Sequence, residues 1–360
     1  MRIAQVAPLW ETVPPKGYGG IELVVALLTN ELVKRGHEVT LFASGDSGTL
    51  AKLNSVYPRA IRTDSTVKDY NVYLNLELQE VYKRADEFDI IHSHVDYAAL
   101  PYANFTKTPT VHTLHGPLSA ENRFLFGQCK RQNYVSISYS QREPLPNLNY
   151  VGNVYNGIDI NDYEFHNHPD EEPYLAFLGR VSPEKGAHLA IEIAKRTGHK
   201  LKMACKVDEV DREFFEREIL THVDGKQIQL MGEISPAEKS KLMGGAIATL
   251  FPINWREPFG LVMTESMATG TPVIAIAMGA APEVIAHGKT GFLCQNLDEM
   301  ISAIDKIGNI NRLACRDHVV QKFSARHMTE GYEEVYTKLI EQRFASTNGR
   351  PKGVILPKVS

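Results

Sequence analysis

Apolar residues at Ile21, Val24, Val25, Leu28 and Leu32 recur with the spacing of one helix face, and Gly36 stands where such a helix would stop. Two apolar runs of strand length, RIAQVAPLW and EVTLFAS, flank this stretch, and the loop ETVPPKGYGG joins the first run to the helix. Nearly continuous apolar runs mark parallel strands buried on both faces, and the strand–helix–strand order supplies the crossover that parallel pairing needs. FDIIHSHV, PTVHTLHG and YVSISYS continue the theme. The alternation predicts a doubly wound α/β domain over residues 1–155.

The pattern breaks at VYNGIDINDYEFHNHPDEEP, whose Asn, Asp and Pro content reads as a linker. It then restarts with strand YLAFLGRVS, helix GAHLAIEIAKRTG, strands LKMACKV, IQLMGEIS and ATLFPI, a helix from Gly260, strand TPVIAIA and helix APEVIAHG. A second doubly wound domain is expected over 156–328. SARHMTEGYEEVYTKLIEQ has the period of an amphipathic helix, expected over 329–344, and ASTNGRPKGVILPKVS reads as a loose tail over 345–360.

Composition narrows the function more than the fold. The chain has 360 residues, enough for two domains, with a formal net charge of −4 that argues against general nucleic-acid binding while allowing a local basic cleft. Cys129, Cys205, Cys294 and Cys315 are scattered without a C-x-x-C pair, as free thiols in a reducing compartment would be. The opening MRIAQVAPLWETVPP is too short in apolar run for a signal peptide. No run approaches the ~20 apolar residues that span a bilayer, so a cytoplasmic protein is expected.

Three stretches could carry chemistry. In KGYGG, Gly19 and Gly20 open a helix after the first strand, where backbone can approach an anion; a flexible surface loop is the plainer reading. Ile21-Glu22 follow where a dinucleotide fingerprint would continue toward its third glycine, which disfavours a dehydrogenase. In GRVSPEKG, Arg180 and Lys185 flank a turn before a helix, a fork and a point charge suited to a diphosphate, or else two solvated charges. In WREPFGLVMTES, Pro258 keeps Glu257 out of helix, Gly260 permits close approach, and a helix from Leu261 carries Glu265 in its second turn. Eight residues at helical rise span roughly 12 Å, the scale of a nucleotide-sugar, and each carboxylate can accept hydroxyls. A capping and a surface glutamate would give the same spacing. Lys206 closes the strand LKMACKV, and ligands of doubly wound sheets lie beyond such ends, so it reads as a third cation near the donor diphosphate or else as a solvated lysine at a strand edge.

Taken together, GYGGIE, IIHSHVD, TLHG, VYNGID, GRVSPEKG, LMGEIS, EPFGLVMTES, ATGTPVIA and APEVIAHGKTGFL resemble a family 4 retaining glycosyltransferase of the GT-B architecture nearly end to end. The resemblance implies two Rossmann-like domains, a nucleotide-sugar in the cleft between them, no metal, no cofactor and retention at the anomeric carbon. It implies that Gly19 and Gly20 face phosphates or acceptor, His115 and Glu257 contact the donor hexose, and Arg180 and Lys185 clamp the diphosphate. Backbone of Phe259, Gly260, Leu261 and Val262 would also meet the donor, Glu265 would hold the ribose, and backbone near Ile234 would flank the base. His92, His94 and His112 are weaker candidates than His115, and His94 with Asp96 reads equally as packing or acceptor residues. The final helix, through Tyr332 and Tyr336, is expected to cross back to the first domain.

The chain departs from the resemblance at Cys205-Lys206, where relatives carry glycine, and at Ala280-Ala281. The leading expectation is transfer of glucose from UDP-glucose to a hydroxyl acceptor of a polysaccharide precursor, glycolipid or small glycoside. A mannosyltransferase using GDP-mannose and a nucleotide-sugar-binding protein without transfer are the alternatives. Peripheral membrane contact stays open, although no basic amphipathic helix marks it.

Overall fold

The computed structural model describes residues 1–17, 19–62 and 64–346. Its first sheet holds β1 (Arg2–Val6), β2 (Glu38–Phe42), β3 (Lys52–Asn54), β4 (Ile90–Ser93), β5 (Thr110–Leu114), β6 (Asn133–Ser136) and β7 (Tyr150–Asn153), ordered β3-β2-β1-β4-β5-β6-β7 and parallel throughout. The second holds β8 (Tyr174–Arg180), β9 (Lys200–Lys206), β10 (Ile228–Gly232), β11 (Ala248–Phe251), β12 (Val273–Ile276) and β13 (Gly291–Cys294), ordered β10-β9-β8-β11-β12-β13 and likewise parallel. Two doubly wound α/β units with helices between their strands make a GT-B fold.

The apolar runs sit where their pattern requires. Ile3, Ala4 and Val6 of β1 and Tyr174 to Leu178 of β8 are buried. Val24, Val25, Leu28 and Leu32 of the Gly20–Lys34 helix are buried too, and Gly36 beyond it takes φ +85°, the left-handed stop. Helix Ala281–Val284 is shorter than the run APEVIAHG indicates, because the chain turns there and Thr290 Oγ1 accepts the Ala286 N–H at 3.0 Å. β3, β7 and β13 have no counterpart in the hydrophobic pattern.

The last helix, Ala325–Ser346, leaves the second sheet and packs on the Gly20–Lys34 helix and on β7. Its Val335, Tyr336 and Leu339 share a core with Ile3, Leu28 and Val111 of the first unit. Gly152 permits this approach: a Cβ there would stand 2.7 Å from Val335 Cγ2. Arg35 adds ion pairs to Glu330 (3.2 Å) and Glu333 (2.9 Å). The helix continues to Ser346, two residues into the stretch read as tail; residues 347–360 lie outside the described residues.

Candidate functional site

Strand order reverses direction between β1 and β4 in one sheet and between β8 and β11 in the other. In such sheets the crevice beyond the carboxyl ends of the strands at that switch takes the ligand. Arg180 ends β8, Lys206 ends β9, and Glu257 lies in the loop leaving β11. His115 directly follows β5 of the facing sheet.

The loops after β8 and β11 are fastened to each other. Asn254 N–H donates to the Glu184 carbonyl at 3.0 Å. Gly186, at φ +75°, lies so close beneath Pro252 that a Cβ would strike the Pro252 carbonyl. This fastening brings Lys185 Nζ to 2.5 Å from Glu257 Oε2, which also accepts the Trp255 indole N–H at 3.0 Å. The Lys185 ammonium stands 4.7 Å from the centre of the Trp255 ring, a cation–π contact. A third loop closes the set: Ala280 N–H donates to the Glu257 carbonyl at 2.9 Å, and Gly279, at φ +60°, leaves no room there for a Cβ. Glu257 Oε1 has no hydrogen-bond partner among the described residues.

Arg180 and Lys206 are register partners on adjacent strands. Asp208 lies between them, 2.9 Å from Lys206 Nζ and 3.8 Å from Arg180. Arg180 also donates to Glu184 at 2.5 Å and approaches Asp211 at 3.9 Å. The two cations are thus held half-buried by three carboxylates, one of them shared.

Glu265 is buried on the Leu261–Ala268 helix. Its Oε1 accepts from the Tyr163 hydroxyl (3.0 Å) and from Lys239 Nζ (2.5 Å), and its Oε2 has no partner among the described residues. The two glutamates therefore share a design, one oxygen anchored twice and the other available to a ligand. Gly260 caps the helix at φ +85°, with Met263 Cε 2.8 Å from where a Cβ would lie. Phe259 is buried against Tyr155 and Phe323, so only its backbone can meet a ligand, while Leu261 and Val262 offer first-turn N–H groups. Ile234, two residues beyond β10, packs half-buried on the second core.

The first unit closes over this surface. Gly20 begins its helix beside the start of the other, its notional Cβ 3.5 Å from Leu261 Cδ1, so two helix N-termini converge. Gly19 is pressed on Pro15 and Glu22, and burial pushes the Glu22 carboxyl up to about 7. Ser138 Oγ donates to the Pro258 carbonyl at 2.7 Å, the N–H groups of Tyr139 and Ser140 donate to Glu283 at 2.8 and 2.7 Å, and Arg256 bonds to Glu143. His115 Nε2 lies 2.9 Å from His94 Nδ1, its backbone N–H donates to Asp96 at 3.3 Å, and burial lowers its imidazole to about 4, leaving it neutral. A cleft of about 230 Å³ beside it is lined by Asp96, Tyr97, Gly116, Ser119, Asn122 and Phe126.

Arg180, Lys185, Lys206 and Glu257 are thus brought together on one rim, with Glu265 farther along the helix and His115 on the opposite sheet. Asp208, Trp255, Tyr163 and Lys239 hold these groups and were not singled out by the sequence. Trp255 alone had a local signal, two positions before Glu257. No group of three His, Cys, Asp or Glu side chains among the described residues could hold a metal ion.

Two family models match this architecture in tandem: "Glycosyltransferase Family 4" over residues 18–161 and "Glycosyl transferases group 1" over residues 160–316. The chain belongs to the family 4 glycosyltransferases of GT-B fold. It is 26% identical to the N-acetyl-alpha-D-glucosaminyl L-malate synthase of Bacillus anthracis, over 88% of this chain and 93% of that protein. Among solved structures it is similar to the sucrose-phosphate synthase of Thermosynechococcus elongatus, with a TM-score of 0.77 at 18% identity over 95% of this chain and 100% of that one. It is also similar to HepE of Anabaena in complex with UDP-glucose, with a TM-score of 0.72 at 17% identity over 94% and 100%. Among the described residues no helix is long and apolar enough to cross a membrane.

Proposed function

We propose that this glycosyltransferase is a retaining, metal-independent hexosyltransferase that moves glucose from UDP-glucose to a hydroxyl acceptor in the synthesis of a polysaccharide, glycolipid or glycoside. The observation that carries the reading is the Lys185–Glu257 pair set beside Arg180 and Lys206 at the strand ends. A departing nucleoside diphosphate needs its developing charge stabilised, and preorganised cations with a helix N-terminus supply that without an ion. Arg180, Lys185 and Lys206 take the diphosphate, with the N–H groups of Leu261 and Val262. Glu257 Oε1 and His115 take hydroxyls of the hexose, Glu265 Oε2 takes a ribose hydroxyl, and backbone near Ile234 flanks the base. Gly19 and Gly20 let the facing helix start approach the phosphates.

In the reaction the acceptor hydroxyl forms a bond to the anomeric carbon as the bond from that carbon to the diphosphate oxygen breaks. The hydroxyl proton passes to the departing phosphate on the same face. The cleft lined by Asp96, Tyr97 and Asn122 is the acceptor's approach. UDP-glucose is preferred because HepE, a neighbour of this fold, is solved with it. The test is thermal stabilisation by a panel of nucleotide-sugars in EDTA. UDP-glucose should raise the melting temperature most; stabilisation by GDP-mannose alone would replace the donor, and stabilisation by none would remove the reading.

A further inference from the structure

Behind His115 runs a continuous line of hydrogen bonds. His115 Nε2 meets His94 Nδ1 (2.9 Å), and His94 Nε2 meets Gln5 Oε1 (2.9 Å). Gln5 Nε2 donates to the Tyr336 hydroxyl (3.0 Å), which meets His92 Nδ1 (2.6 Å). His92 Nε2 meets Thr113 Oγ1 (2.7 Å), which meets the Tyr332 hydroxyl (3.0 Å). Gln5, His92, His94, Thr113, Tyr332 and Tyr336 are all buried.

A neutral imidazole has one donor and one acceptor nitrogen, so each ring transmits a direction. The Gln5 amide is the group whose two ends differ in kind. Its carbonyl takes the His94 Nε2–H, which leaves His94 Nδ1 as a lone pair, and that lone pair takes the His115 Nε2–H. On the other side the amide N–H occupies the Tyr336 oxygen, so the Tyr336 O–H points to His92 and the His92 Nε2–H to Thr113. The bonds then run in one direction from His115 to Tyr332. His115 Nδ1 is left as an acceptor; it has no partner among the described residues and is not one of the sealed polar atoms.

The geometry points to Gln5 as a positioning residue that fixes the proton of His115 on Nε2 through His94, so that His115 presents a hydrogen-bond acceptor to the donor's hydroxyl. The role of His115 at the donor rests on the function proposed above; its tautomer does not.

The tautomer is read on the unliganded, 15N-labelled chain by long-range 1H–15N correlation of the imidazoles, with His115→Asn assigning the signal. His115 should show a protonated Nε2 and an unprotonated Nδ1. Gln5→Met should pull the two His115 shifts toward averaged values and lower turnover at saturating donor about tenfold, the scale of one misdirected hydrogen bond. A protonated Nδ1 in the parent, or shifts unmoved in a folded Gln5→Met, overturns the inference; should Gln5→Met not fold, the parent spectrum decides it. Shifts that move while turnover holds would instead remove His115 from the donor site.

Discussion

Lys185 Nζ and Glu257 Oε2 stand 2.5 Å apart although 72 residues separate them in the chain. Neither belongs to a strand or an α-helix. Each is held by a loop leaving one of two neighbouring strands, β8 and β11, and the loops are tied to each other through Asn254 and Gly186. The pair depends on this scaffold rather than on its own attraction.

Glu257 and Glu265 should answer differently to the same change. Glu257→Gln places an amide where the free Oε1 or the doubly anchored Oε2 stood, at the proposed hexose site. Turnover at saturating donor should fall about a hundredfold, the scale of one lost transition-state contact. Glu265→Gln keeps an oxygen for Tyr163 and Lys239 and loses one acceptor at the proposed ribose site, so it should chiefly raise KM, by about tenfold. Steady-state kinetics with donor as the varied substrate separates the two, and equal or reversed losses in kcat would contradict the assignment.

Lys206 should act partly through Asp208. Removing its ammonium leaves Asp208 to draw on Arg180, now 3.8 Å away. Lys206→Ala should therefore weaken donor binding by roughly tenfold to a hundredfold. Adding Asp208→Asn should return about half of that loss on a logarithmic scale, because coupled neighbours are not additive. Calorimetric titration with UDP-glucose at low salt checks both; an effect of Lys206→Ala within about twofold would remove it from the donor site.

Tyr336 and Tyr332 should differ in stability effect. Tyr336→Phe strips partners from both Gln5 Nε2 and His92 Nδ1, which are buried, and each orphaned group costs about 1–3 kcal/mol. Tyr332→Phe removes one bond from Thr113, which keeps His92. Denaturant unfolding should show the larger loss for Tyr336→Phe.

Acid should destabilise the fold through its histidines. Burial holds His112 and His115 at about 4 and drives His92 and His94 well below their usual 6.5. As pH falls below 6.5 the unfolded chain takes up protons that the folded chain refuses, so stability present above 6.5 is lost toward 4. Each histidine contributes about 1.4 kcal/mol per pH unit within that window. His112 is fully buried, so His112→Leu should spare about 2 kcal/mol of the loss by pH 5. A variant with an unchanged pH slope would show that His112 is protonated in the folded chain.

Much of the architecture was legible because parallel strands buried on both faces must be apolar runs. β1, β2, β8 and β9 announce themselves that way. β3 (Lys52–Asn54) and β7 (Tyr150–Asn153) carry no such run, and three or four residues at or beside a sheet edge leave no period to read. At the site, residue types at strand ends pointed to Arg180, Lys206 and Glu257. Their holders were not legible, because Asp208, Tyr163 and Lys239 act across loops that only the fold brings together. The line from Gln5 to Tyr336 joins residues 331 positions apart. His92 and His94 read as weaker candidates than His115, and the structure makes them its buried support.

The central claim is retaining transfer from UDP-glucose without metal, and 1H NMR of the chain with UDP-glucose in EDTA tests it most directly. Water serves as acceptor where no other is present, and the first sugar released can be read before its anomers equilibrate. Retention predicts that the first-formed glucose is the α-anomer and that its rate is unchanged by EDTA. First-formed β-glucose, or turnover that EDTA abolishes and Mg²⁺ or Mn²⁺ restores, would contradict it.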